Sequence, residues 1–298
     1  MIHPKYVVIL MTSFIISCSK PEPEPVPILS WTQIPFPNGK ISSFNISGNT
    51  IYLGTQQGEI YNSDAENINW INLNTASTLP IHALAIDNTT IYGLAGSNQI
   101  IYGDNNKWTT HSFTDVQTIN ALLAVGNNLY VGTEKGLLLS TDQGVSFNWK
   151  TVRPADTFIM SLFAFNTNLY AGTFNGTYQS DLTADNWSQV GPLYVFDAFA
   201  IKGDSLLAGT SDGLFYVDRN NTWTAEKQVG YQVMSIAVNN NEVYLGTWKG
   251  GVYLSLDKEN SWTSVNSGFV DLNIFSIHAS PQSLFALTSA GLFTTPLK

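Results

Sequence analysis

Few side chains in this chain are equipped for chemistry. Beyond residue 17 there are three histidines (His82, His111 and His278), two arginines (Arg153 and Arg219) and one cysteine, Cys18. No His-x-His or His-Glu-x-x-His spacing sets two imidazoles on one metal, and a lone cysteine cannot build a multi-cysteine zinc or iron-sulfur centre. No metal and no cofactor are therefore expected. Formal charge is -9, from 22 acidic against 13 basic residues in 298. That removes the electrostatic basis for a nucleic-acid partner, because duplex affinity comes largely from Lys and Arg on phosphates. What the chain has in quantity is aromatic side chains, 13 Tyr, 16 Phe and 8 Trp, with only 12% of residues charged. Aromatic chemistry means packing, stacking and protein contact, and the composition favours sheet over helix.

The elements that hold these rings follow from a repeat. An octapeptide recurs seven times: IYLGTQQG at 51, IYGLAGSN at 91, LYVGTEKG at 129, LYAGTFNG at 169, LLAGTSDG at 206, VYLGTWKG at 243 and LFALTSAG at 284. Each copy follows an apolar strand such as Ala121–Val125, across a short turn such as Gly126-Asn-Asn128. A period of about 39 residues with four short strands predicts a β-propeller blade. An aromatic residue, Trp70, Trp108, Phe147, Trp187, Trp223 or Trp262, opens the fourth strand after six of the copies. The seventh copy has none after it, and Trp31–Ile34 is of the same type. The expected fold is all-β: a seven-bladed β-propeller of four-stranded antiparallel blades, closed by Trp31–Ile34 completing the last blade.

In such a ring the turn between second and third strands shares a face with the crossovers between blades, and loops on a rigid scaffold carry function. The turn residue is Gln56, Gly96, Glu134, Phe174, Ser211, Trp248 and Ser289 in blade order. Five blades do without a ring there, so Phe174 and Trp248 are candidates for binding. Crossovers add Tyr194, Phe196, Tyr231 and Phe269, and the polar rim is Glu134, Lys135, Arg153, Asp156, Lys249 and Asp271. These rings fit a protein hot spot or a platform for sugars, unless they fold inward against neighbouring loops. His82 and His278 fall on innermost strands, where the ring could bring them near Asp197 or Asp271, or hold them as core histidines.

The N-terminus has the order of a secretory signal: Lys5, an apolar run from Tyr6 to Ile16, then Ser17-Cys18. Ile15-Ile16-Ser17-Cys18 resembles the bacterial lipobox, which implies cleavage before Cys18 and acylation of that cysteine. More than one acyl chain satisfies the requirement for stable anchoring. The expected organisation is a signal peptide at 1–17, lipidated Cys18 with a Pro/Glu-rich tether at 18–30, and the propeller at 31–298. By that resemblance Ser19 after the cysteine implies the outer membrane, on its periplasmic face or the cell surface. Lys20–Pro27 reads as a stiff polyproline spacer. Asp204-Ser205-Leu206 resembles the short O-glycosylation signal of Bacteroidota.

Ser140-Thr-Asp142-Gln-Gly144-Val-Ser146-Phe147 resembles the Asp-box hairpin of sialidase-like BNR repeats, and Ser255-Leu-Asp257 with Trp262 is a looser copy. Residues 31 to 298 thereby resemble the broad YVTN/BNR/Asp-box group of propellers. The motif is structural: the Asp accepts backbone amides of its own turn while the ring packs between blades. Sialidases of that group clamp a carboxylate with three arginines, a geometry lysine cannot supply. Arg153 and Arg219 fall on opposite faces, so no such triad forms. The resulting expectation is a non-catalytic, membrane-anchored scaffold or accessory subunit of an outer-membrane or surface complex. The alternative is a glycan-binding protein or a carbohydrate-active enzyme other than a sialidase.

Overall fold

A computed structural model of the chain describes residues 29–297, apart from 88, 105–106, 151–156, 193–195, 212, 219–221, 226–228 and 257–260. The described residues form seven four-stranded antiparallel sheets and no helix. Blade three shows the pattern: Ile119–Val125 innermost, then Asn128–Thr133, Gly136–Ser140 and Asn148–Lys150 outermost. The other innermost strands are Ile41–Ser47, Ile81–Asp87, Ile159–Phe165, Phe196–Lys202, Val233–Asn239 and Ile274–Ala279. Each touches the next, and Ile274–Ala279 touches Ile41–Ser47, so the ring is closed.

The octapeptide is the second strand of each blade with the turn that follows, and each of its letters has a packing reason. Its apolar residues are buried on both sides, because the strand lies between neighbouring sheets; Leu129, Tyr130 and Val131 are fully covered. Its glycine is where the next blade presses closest. A Cβ on Gly132 would lie 2.6 Å from the Cγ2 of Ile159, and Gly54, Gly209 and Gly246 meet Ile81, Val233 and Ile274 in the same way. Its threonine closes the hairpin: Thr133 Oγ1 donates to the Gly136 carbonyl at 2.9 Å, as Thr173 does to Gly176 and Thr247 to Gly251, both at 2.8 Å.

Blades are also joined by polar links at both radii. Near the axis, Ser42 Oγ donates to the Ile81 carbonyl at 2.7 Å and Asn120 Nδ2 to the Ile159 carbonyl at 3.1 Å. These satisfy backbone groups that a free inner edge would leave bare. At the rim, indole N–H groups do the same work. Trp31 donates to Val265 at 2.8 Å, Trp70 to Pro35 at 3.2 Å and Trp108 to Leu73 at 2.8 Å, each carbonyl belonging to the preceding blade.

The closing strand is the one the sequence singles out. Thr32 pairs with Thr294 and Gln33 with Phe293, and the Ile34 N–H donates to Leu292 at 2.8 Å. Trp31 is buried in the cluster shared by blades six and seven, stacked on Phe269 with ring centroids 4.6 Å apart.

Candidate functional site

Hydrogen bonds tie the second-to-third-strand turns to the preceding crossovers, which fixes one face of the disc. Gln56 N–H donates to Lys40, Gly96 to Pro80, Glu134 to Thr118 and Trp248 to Gln232, at 2.9 to 3.2 Å. Phe174 stands on this face 61% exposed, its ring 5.1 Å from Phe158. Trp248 is 39% exposed, its ring 5.9 Å from Phe275.

Phe275 reaches that position through a bulge. Every innermost strand shifts register between its first and third residues, and in blade seven the unpaired residue is Phe275. A bulge re-aims a side chain, here to the rim of the axis, and the sequence carries no separate signal for it. Tyr231 lies over Gly250, where a Cβ would come within 2.6 Å of its ring, and 6.0 Å from Tyr253. The blade-six turn spans three residues, 248–250, where blades three, four and seven use two, and Lys249 takes φ 68° to make it.

The other sequence candidates divide. Phe269 packs inward, between Trp31 and Phe293, and so serves closure of the ring. The Glu134 carboxylate accepts the backbone N–H groups of Gln117 at 2.8 Å and Thr118 at 2.9 Å. Burial raises its pKa, and these bonds outweigh that and hold it below its ordinary value. Lys135 Nζ donates to the Asp115 carbonyl. Asp271 accepts from Ser289 and Asn273, which overcome its burial and lower its pKa. Lys249 is exposed, and its ammonium has no hydrogen-bond or ion-pair partner among the described residues. Phe196 opens its strand, paired with Thr210. Cys18, Arg153, Asp156, Tyr194, Arg219 and Asp257 lie outside the described residues.

On the opposite face the Asp-box string folds as a hydrogen-bonded hairpin. Asp142 accepts from Ser140 Oγ at 2.6 Å, Ser146 Oγ at 2.6 Å and Ser146 N–H at 2.9 Å, which together hold its pKa down at about 2. Gly144 N–H donates to Ser140 Oγ at 2.7 Å, and Phe147 packs against Phe113 and His111. Ser255 is buried, and the Trp262 ring packs on the core of blades five and six. The carboxylate's task recurs where the string does not: Asp64, Asp104, Asp181 and Asp218 each accept a backbone N–H of their own hairpin.

Among the described side chains, no carboxylate bonds His278, and the Asp197 side chain lies outside them. The His278 ring meets Phe44 edge-on at 4.7 Å, across the seam between blades seven and one, and burial lowers its pKa to about 4. His82 is exposed at the bulge of blade two. No cluster of three metal-ligating side chains occurs among the described residues. Ser205 is buried within a strand, so the Asp204-Ser205-Leu206 resemblance offers no accessible hydroxyl in the folded chain. Gly209 and Gly213, which flank Ser211 in a Gly-x-Ser-x-Gly string, lie in two strands paired with each other, not at the strand-to-helix elbow of a hydrolase.

No family model and no curated protein matches the chain. Solved structures do. YCF48 from Cyanidioschyzon merolae is 13% identical with TM-score 0.70, covering 90% of this chain and 98% of that one. YCF48 bound to D1 peptide gives 14%, 0.72, 92% and 98%. A GH74 enzyme of Niastella koreensis is 19% identical with TM-score 0.70, over 90% of this chain and 53% of that one. Fold is what these likenesses establish.

Proposed function

We propose that this chain is a non-catalytic lipoprotein whose propeller acts as a protein-interaction scaffold or accessory subunit of an outer-membrane or cell-surface complex. It docks partners on the crossover face. The single observation that carries this reading is the exposure of Phe174 and Trp248 at a turn position where the fold requires no ring. The binding of a peptide by a propeller of the same shape, YCF48, supports it in kind. The lipobox resemblance supports the anchor at Cys18 and the tether at 18–30, and the separate Asp-box resemblance supports a Bacteroidota-type BNR propeller at 31–298.

Gentle detergent extraction of the native protein from its own membrane, followed by mass spectrometry of what co-purifies, tests the proposal. A stoichiometric protein partner lost on combined Phe174→Ala and Trp248→Ala is the expected result. A lone monomer in both cases refutes it and shifts weight to the glycan reading, which the same exposed rings and the GH74 likeness support. Binding on a glycan array that disappears with Trp248→Ala would establish that reading. Cys18→Ser is expected to release the protein from the membrane fraction.

A further inference from the structure

Asparagine is followed by glycine at two places in the chain, Asn38-Gly39 and Asn175-Gly176. Asparagine is a chemically labile side chain, and a following glycine sets no Cβ in the path between its own backbone nitrogen and the asparagine amide carbon. The two pairs are alike in sequence. The fold treats them differently.

Asn175-Gly176 is the tight turn between second and third strands of blade four, and its neighbours pin it. Asn175 N–H donates to Thr173 Oγ1 at 3.1 Å, and its carbonyl accepts from Gln189 Nε2 at 2.7 Å. Thr173 Oγ1 donates to the Gly176 carbonyl, and Gly176 is buried and paired with Thr173 in the ladder. Bringing the Gly176 nitrogen onto the Asn175 side chain would require this turn to open.

Asn38-Gly39 lies in the stretch that leads from the closing strand into blade one. Its anchors are the Ile34 N–H, which donates to Leu292 at 2.8 Å, and the Lys40 carbonyl, which accepts from Gln56 N–H at 2.9 Å. Between them both residues are exposed, and neither the Asn38 side chain nor the Gly39 N–H has a hydrogen-bond partner among the described residues. Asn38 borders an open hollow of about 490 Å³ at the rim, with Pro35, Ile68 and Trp70, so its amide has room to turn and water reaches it. Gly39 takes φ 107°, which a residue with a Cβ would adopt only under strain. The glycine that this bend requires is thus also the residue that leaves Asn38 open to attack.

We propose that Asn38 is a site of spontaneous deamidation at the seam where the ring closes, and that Asn175 is protected by its turn. The Gly39 backbone nitrogen attacks Asn38 Cγ: the N–Cγ bond forms, the Cγ–Nδ2 bond breaks, and the amide leaves as ammonia carrying the Gly39 proton. Water then opens the cyclic imide. Attack at Cγ restores the ordinary backbone with an aspartate, whereas attack at the main-chain carbonyl routes the backbone through the side-chain carbon as isoaspartate. Each route consumes one water and releases one ammonia, with no change of oxidation state, and adds a negative charge two residues before Lys40. The isoaspartate route also lengthens the stretch between the two anchors, which carries Phe36, packed edge-on against Tyr61 at 5.1 Å and Trp70 at 5.6 Å.

Incubation of the folded protein at mildly alkaline pH in water enriched in heavy oxygen, followed by peptide mass spectrometry, tests the proposal. Label should enter the peptide bearing Asn38, which separates into aspartate and isoaspartate forms, at a rate about tenfold or more above that at Asn175. In guanidinium chloride the two rates should converge, because both pairs then sit in an open chain. Equal rates in the folded protein, or no reaction at Asn38 while the unfolded chain reacts at both pairs, would overturn the proposal. A gap that persists in guanidinium chloride overturns it as well, since the fold is then not its cause.

Discussion

The two faces of the disc are built from the same strands, yet they treat their polar residues in opposite ways. On the face of the third-to-fourth-strand hairpins, Asp64, Asp104, Asp142, Asp181 and Asp218 do one task in five blades, each capping its own turn. On the crossover face no single residue type recurs through the turns, and what the turn residues do differs blade by blade. Glu134 clamps a crossover, Ser289 holds Asp271, Phe174 projects into solvent and Trp248 covers Phe275. Recurrence within one chain thus separates what the fold demands from what a surface is free to choose.

The largest effect should come from breaking what both faces depend on. Trp31→Ala removes a ring stacked on Phe269 and an indole hydrogen bond to the preceding blade. Its cost should be about 3–5 kcal/mol, the range for truncating a buried aromatic, measured by urea denaturation. If the loss is under about 1 kcal/mol, Trp31 does not hold the ring closed, and the comparison loses its rigid frame. Next comes the recurring glycine. Gly246→Ala places a methyl 2.7 Å from Ile274 Cγ2 at the seam of blades six and seven, and should cost about 1–3 kcal/mol as overpacking.

These two residues also show how far the sequence reaches. Strand order, blade number and closure by Trp31–Ile34 are all legible, because the octapeptide repeats and, at Gly54, Gly132, Gly209 and Gly246, meets the next blade in one way. The outward aim of Phe275 is not legible, since it depends on a bulge that leaves no residue-type signal. Phe269 shows the opposite limit: a ring in a crossover reads the same whether it faces solvent or, as here, Trp31. Asp104 and Asp218 cap their turns without the Ser-x-Asp string, because one carboxylate within reach of a backbone N–H is sufficient.

A smaller effect tests the capping face by pH. The folded-state pKa of Asp142 is depressed to about 2 by three hydrogen bonds, so its ionised form is favoured by folding. The stabilisation is complete above the unfolded value near 4 and is lost as pH falls through about 2. Asp142→Asn should therefore lower the melting temperature at pH 7 and differ little from the parent near pH 2. An equal deficit at both pH values would mean that the charge is irrelevant and the hairpin needs only the shape of the side chain.

The smallest expected effect is the most telling for the other face. Among the described residues Phe174 keeps one ring contact, with Phe158, and it leaves most of its surface in water, so removing it forfeits little burial. Phe174→Ala should change stability by no more than about 0.5 kcal/mol, as exposed substitutions do. The same truncation at Phe269, half-buried between Trp31 and Phe293, should cost several times more. Two phenylalanines on the loops of one face would then differ in what they hold. If Phe174→Ala destabilises as much as Phe269→Ala, the ring belongs to the fold, and the face it stands on loses its claim to be kept for a partner.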